Sequence, residues 1–121
     1  MFLSVVIPTY NRLPILQKCL RALEAQVLEA PVDGFEVVLV DDGSSDDTVA
    51  WVEAHASALP HVRLIQQSHG GPAQGRNRGV AEAKGDVIVF IDSDLVVTPG
   101  FLVAHGRALE RQWQHTGHRR C

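Results

Sequence analysis

Four runs with strand composition alternate along this chain with four segments of helical periodicity. Only a mainly parallel sheet with crossover helices accommodates that order, which predicts a three-layer α/β sandwich. The strand-like runs are Leu3 to Ile7, Glu36 to Val40, Arg63 to Ile65 and Val87 to Ile91. The first helix is expected to start at Asn11 as N-cap and to bury Leu16, Cys19, Leu20, Leu23 and Val27. The second starts within Ser44-Ser45-Asp46-Asp47, with Ser44 and Asp47 spaced as a capping box, and buries Val49, Val52, Ala56 and Leu59. The third follows Gly70-Gly71-Pro72, and its Gly71, Gly75, Gly79 and Ala83 form a small-residue stripe that brings helix and sheet close together. The fourth opens at Thr98-Pro99 and carries Leu102, Leu109 and Trp113.

With 121 residues there is room for one core, placed at residues 1–114, and 115–121 reads as a disordered polar tail. His115, His118 and Cys121 in that tail have a spacing that a metal could use, a weak signal at a chain end. A net charge of −3 gives no electrostatic argument for nucleic acid or an anionic membrane surface as a partner, and no nucleic acid is expected. The first residues lack the basic region of a signal peptide, and no uncharged segment approaches the roughly 20 residues of a membrane span. Two cysteines, Cys19 and Cys121, require no oxidising compartment.

The run Val87 to Ile91 has no polar alternation, which predicts a strand covered on both faces, and it ends in Asp92-Ser93-Asp94. In an extended strand two residues apart means about 6–7 Å on one side, a spacing that suits a divalent cation shared with a phosphate. Carboxylate oxygens favour magnesium, manganese or calcium over zinc. The competing reading, that these aspartates only cap a turn, weakens because a second acidic cluster, Asp41-Asp42, follows another strand.

In a parallel sheet ligands bind beyond the carboxyl ends of the strands, where each loop also opens a helix whose N–H groups attract phosphate. Tyr10 is placed to pack on a flat base, and Asp42 to accept from a base N–H or a ribose hydroxyl. Arg76 and Arg78 follow the glycine turn and are candidates for phosphate oxygens, against a solvated helix face as the alternative. His69 reads as a surface histidine. No Gly-x-Gly-x-x-Gly follows the first strand, which excludes a dinucleotide-binding domain. An aspartyl phosphotransferase would carry its acidic motif early in the fold, whereas Asp92-Ser93-Asp94 comes late. A phosphorylation-controlled receiver domain stays as the non-enzyme alternative, although it would need a lysine after a late strand and Lys18 and Lys84 both fall in expected helices.

The segments Val6 to Arg12, Val40 to Thr48, Gly75 to Gly79 and Phe90 to Asp94, in that order, resemble the nucleotide-binding half of the family 2 glycosyltransferases. The resemblance runs from Ser4 to about Leu102 and implies a GT-A, Rossmann-like fold and an inverting transfer from a nucleoside-diphosphate sugar (UDP, GDP or dTDP type). The acceptor hydroxyl would belong to a saccharide, a lipid or another molecule. Carried over residue by residue, Pro8, Tyr10 and Asp42 would line the base and ribose pocket. Asp92 would face ribose or sugar, and Asp94 would hold a manganese or magnesium ion on the diphosphate. Thr9, Arg12, Gly71, Arg76 and Ser93, in the same loops, complete the expected nucleotide-binding set. Family members place the acceptor site and the catalytic carboxylate after the Asp-x-Asp segment, where this chain has only Glu110, so no catalytic base is assigned. The expected object is a donor-binding half whose uncovered apolar surface favours self-association. The resemblance also implies a cytoplasmic location, extending to the cytoplasmic membrane face for a longer parent enzyme.

Overall fold

The computed structural model of the chain describes residues 1–115, with side chains up to 112. The described elements are β1 (Phe2–Thr9), α1 (Leu13–Glu24), β2 (Gly34–Asp41), α2 (Thr48–Ala54), β3 (Val62–Gln66), α3 (Pro72–Glu82), β4 (Val87–Phe90) and α4 (Phe101–His115). A 3₁₀ turn at Ala56–Ala58 follows α2. All four strands are parallel, in the order β3-β2-β1-β4. β1 pairs with β2 along its whole length, from Phe2 opposite Gly34 to Thr9 opposite Asp41. Against β4 it pairs only from Leu3 opposite Val87 to Val6 opposite Phe90.

The strand order decides which face each helix covers. From β1 the chain steps outward to β2 and β3, then returns past β1 to β4. A right-handed crossover in the reversed direction must lie on the opposite face. Accordingly Leu16, Cys19, Leu20 and Leu23 of α1, Val52 of α2 and Leu102 of α4 share one core with Leu3, Val5, Ile7, Val37 and Leu39. Val6, Val38 and Val40 point the other way, towards α3. Three layers result, as the alternation of strand and helix predicts.

The glycine stripe works at two positions. A Cβ on Gly79 would stand 2.2 Å from Val6 Cγ1, and one on Gly75 would stand 2.9 Å from Pro8 Cβ. Gly71 has open space around it and serves through its positive φ of 94°, while Ala83 lies past the helix end. Val6 is fully buried and β-branched, so it has no alternative position to yield to. We therefore expect Gly79→Ala to destabilise by about 1–3 kcal/mol, despite the gain in helix propensity. Chemical denaturation measures this, and an unchanged midpoint would mean that α3 lifts off the sheet freely.

At the amino end of the sheet, Ser4 is buried and donates to Glu36 Oε2 at 2.6 Å, and Arg63 bridges Glu36 (3.1 Å) and Glu82 (3.2 Å). This network locks β1, β2, β3 and the end of α3 together at the side remote from the Asp-rich loops.

Several boundaries differ from expectation. β4 is an edge strand in this sheet and is not covered on both faces: Phe90 is 51% exposed, with Leu95 and Val96 exposed beyond it. α1 ends before Val27, which is exposed, and α2 ends before Ala56, so Leu59 is buried from the connection instead of from a helix. Val49 is only half-buried. α4 starts at Phe101, after a turn in which the Phe101 N–H donates to the Thr98 carbonyl. It runs through His115, which was expected to begin the tail. The packing expected of Trp113 and the rest of the tail, including His118 and Cys121, lie outside the described residues. Among the described residues no helix is long and apolar enough to cross a membrane.

Candidate functional site

The carboxyl ends of β1, β2 and β4 surround a cavity of about 430 Å³ at the point where the strand order reverses. From the end of β1 come Pro8, Thr9, Tyr10 and Arg12, and from β2 comes Asp42. The β3–α3 connection and the first turn of α3 add His69, Pro72 and Arg76. Asp92, Ser93 and Asp94 close the remaining side. Of the expected nucleotide-binding set Gly71 does not border the cavity, and it touches the site through Asp42.

Asp42 organises this rim. It is almost wholly buried (3% exposed), and both of its oxygens are engaged. Oδ1 accepts from Gln67 Nε2 and from the Gly70 N–H, each at 2.9 Å, and Oδ2 accepts from the Gly71 N–H at 2.9 Å. His69 Nδ1 is hydrogen-bonded to the Asp42 main-chain carbonyl at 3.2 Å and lies 2.8 Å from Oδ2, where it blocks the remaining approach to the carboxylate. Burial by itself would raise its pKa, but the donors from Gln67, Gly70 and Gly71 and the charge of His69 outweigh burial and hold it below the ordinary value. Glu36 is likewise held low: burial opposes ionisation, and the Ser4 hydroxyl, the Lys84 N–H and Arg63 overcome it.

Two depressed carboxylates make the folded state bind fewer protons than the unfolded chain in acid. Their contribution to stability is therefore complete at neutral pH and is lost as the pH falls through their folded-state values, which lie below the ordinary carboxylate range. Thermal midpoints followed from pH 7 to 3 should drop more steeply for the wild type than for Glu36→Gln, and parallel curves would contradict this account of Glu36.

The loops after β1 and β2 are tied together by Asn11. It does not cap α1; with φ of 51° it turns back, its side-chain oxygen accepting from the N–H groups of Ser45 (2.8 Å) and Asp46 (3.2 Å). Its own N–H donates to Ser44 Oγ at 2.9 Å. The expected Ser44–Asp47 capping box is replaced by Asp46, whose Oδ1 accepts from both the N–H and the hydroxyl of Thr48. Burial opposes the charge on Asp46, and these bonds hold its pKa low.

The Asp92-Ser93-Asp94 segment is not extended. β4 ends at Phe90 because β1 offers its last pairing there, and the Leu95 N–H donates back to the Asp92 carbonyl at 3.1 Å, closing a turn. The strand spacing predicted for the two carboxylates therefore does not apply. The side chains of Asp92 and Asp94 are exposed and make no hydrogen bond or ion pair among the described residues, whereas Ser93 is buried. The charge of Asp94 reaches the core: burial, with Asp94 adding to it, pushes the Cys19 thiol up to about 11, so this cysteine stays neutral and inert at pH 7.

Arg12 and Arg76 border the cavity and form no ion pair among the described residues. Arg78 does not join them. Two residues along a helix project to different sides, and Arg78 instead pairs with Glu82 at 3.2 Å. Thr9 borders the cavity with its buried hydroxyl unpaired, and the neighbouring Asp41 keeps one buried oxygen, Oδ1, unpaired. Glu110 lies in a separate depression beside Arg107 and Arg111. Lys84 precedes β4, in the loop at the opposite end of the sheet from Asp92, which removes the geometry that a receiver domain needs.

Gln67 and His69 are the site residues that the sequence did not single out. His69 was read as a surface histidine and is exposed, but its ring also packs on Tyr10 at 4.3 Å with a 31° tilt, while its Nδ1 is hydrogen-bonded to the Asp42 main-chain carbonyl at 3.2 Å and lies 2.8 Å from Asp42 Oδ2. The usable signal was topological: the loop after β3 must pass the end of β2, its neighbour.

Residues 4–113 match the family described as Glycosyl transferase family 2. The chain is 37% identical over 97 residues to the uncharacterized glycosyltransferase YibD of Escherichia coli K12, covering 80% of this chain and 27% of YibD. It is 38% identical over 92 residues to the poly(ribitol-phosphate) β-N-acetylglucosaminyltransferase TarS of Staphylococcus aureus, covering 75% of this chain and 16% of TarS. The crystal structure of TarS 1-349 in complex with UDP-GlcNAc matches with a TM-score of 0.80 at 32% identity, over 92% of this chain and 32% of that one. The mannosyltransferase PcManGT from Pyrobaculum calidifontis, in complex with GDP-Man and Mn²⁺, matches with a TM-score of 0.73 at 30% identity, over 83% and 30%. The chain spans a third or less of the length of each of these relatives.

Proposed function

This chain belongs to glycosyl transferase family 2, and from that premise we propose that its cavity binds the nucleoside-diphosphate sugar donor of an inverting transfer. The observation that carries this reading is the set of groups gathered in one cavity: the Tyr10 ring, the Asp42 cluster, and two arginines and two carboxylates whose side chains have no ionic partner among the described residues. A volume of about 430 Å³ falls in the range of small-molecule sites. Relatives solved with UDP-GlcNAc and with GDP-Man support the donor class.

In this reading Tyr10 and Asp42 hold the base, and Arg12 and Arg76 offset the diphosphate charge. In the transfer an acceptor oxygen bonds to the anomeric carbon as the bond from that carbon to the diphosphate oxygen breaks, and the acceptor proton passes to a base. None of the described residues is placed as that base. A divalent cation fits the donor set, because Asp92 and Asp94 are hard oxygen ligands left without other partners, and magnesium-like ions are held by one or two carboxylates together with substrate phosphates. When bound, the ion supplies positive charge against the leaving diphosphate.

The test is a thermal-shift panel of UDP, GDP, dTDP and CDP, each with manganese or with chelator. At about 100 times its dissociation constant a ligand adds about 2.7 kcal/mol, a shift of several degrees. A manganese-dependent shift with one nucleotide identifies the base, and no shift with any of them refutes the reading. The exposed Phe90, Leu95 and Val96 beside the free edge of β4 also support self-association of the isolated chain. Light scattering that finds a monomer at every concentration would count against it.

A further inference from the structure

We infer that His69 is a built-in occupant of the base slot, lying on Tyr10 and against Asp42, that must withdraw before a nucleobase takes over its contacts. The inference rests on the donor-site reading above. One side chain engages both groups that a base would need: the imidazole lies 4.3 Å from the Tyr10 ring, and its Nδ1 lies 2.8 Å from Asp42 Oδ2. A flat base carrying an N–H would make the same two contacts, so base and imidazole compete for one place.

Among the donors to Asp42, His69 is the one able to leave. Gly70 and Gly71 donate through their main chain, and Gln67 is half-buried, whereas the His69 side chain is 59% exposed. Its backbone is held from below, since a Cβ on Gly43 would come within 3.0 Å of the His69 nitrogen, so the motion open to it is rotation of the side chain. Apparent affinity falls by the fraction of molecules in which the slot is open, so a better-held His69 weakens binding. The other charged groups that line the same cavity are Arg12, from the β1 end, Arg76, from α3, and Asp92 and Asp94, from the β4 turn.

Calorimetric titration with UDP and manganese on the wild type, His69→Ala and His69→Gln tests this. His69→Ala, which empties the slot, should bind about two- to fivefold more tightly than wild type, whereas a merely structural role would weaken binding. His69→Gln keeps a donor in the slot but loses the ring on Tyr10, and its affinity should fall between the two. If wild type binds UDP and His69→Ala binds it equally or more weakly, the inference is overturned. If neither wild type nor any variant binds UDP, GDP, dTDP or CDP, the donor-site reading fails and the inference falls with it.

Discussion

Asp42→Asn is expected to lose about 2 kcal/mol of stability and at least tenfold in nucleotide affinity, the largest combined effect of any single change at this site. The carboxylate accepts from Gln67 and Gly70 on one oxygen and from Gly71 on the other, with His69 Nδ1 2.8 Å from the latter, and the amide that replaces it can accept on one side only. With the new NH₂ group on the Oδ1 side, Gln67 can flip its amide to match, but the Gly70 N–H cannot. On the Oδ2 side, His69 can change tautomer, but the Gly71 N–H cannot. Either way one main-chain donor is left facing another donor. The loop from Gln67 to Gly71 would loosen, and with it the rim that carries His69 and leads into α3 and Arg76. Thermal melting and calorimetric titration with UDP read the two losses separately. An unchanged midpoint would mean that this loop holds its shape without Asp42.

Asp94→Asn should behave in the opposite way, with stability within about 0.5 kcal/mol of wild type and manganese-dependent nucleotide binding reduced at least tenfold. The side chain is exposed and has no partner among the described residues, so no part of the fold depends on it. In the donor reading it is a direct ligand of the cation, and a single lost carboxylate removes a large share of a charge that one or two side chains supply. Titration with UDP in manganese should then give the affinity that wild type shows in chelator. Full manganese dependence in Asp94→Asn would move the cation to Asp92. Together the variants separate the organiser of the cavity from its charged mouth: Asp42→Asn moves stability and binding, Asp94→Asn binding alone.

What could be read in the sequence divides along a physical line. The elements were legible because apolar periodicity is local: Leu16, Cys19, Leu20 and Leu23 mark the buried stripe of α1, and the spacing of Gly75 and Gly79 already implied a close helix–sheet contact. The element ends were less so, because α1 and α2 stop where tertiary contacts stop favouring another turn, before Val27 and Ala56. Arg76 and Arg78 looked equivalent in sequence and were separated by helical geometry, one at the cavity and the other paired with Glu82.

The sequence by itself determined that this is a parallel α/β sheet and that its chemistry lies on one rim, because parallel strands deliver all their carboxyl ends, and the motifs that follow them, to the same side. Only the tertiary structure decided the order β3-β2-β1-β4, which leaves β4 at an edge, and the meeting of His69 with Tyr10 and Asp42 across three separate loops. Contacts between residues distant in the chain depend on how the strands are ordered and how the loops cross, and no local pattern of residues encodes that.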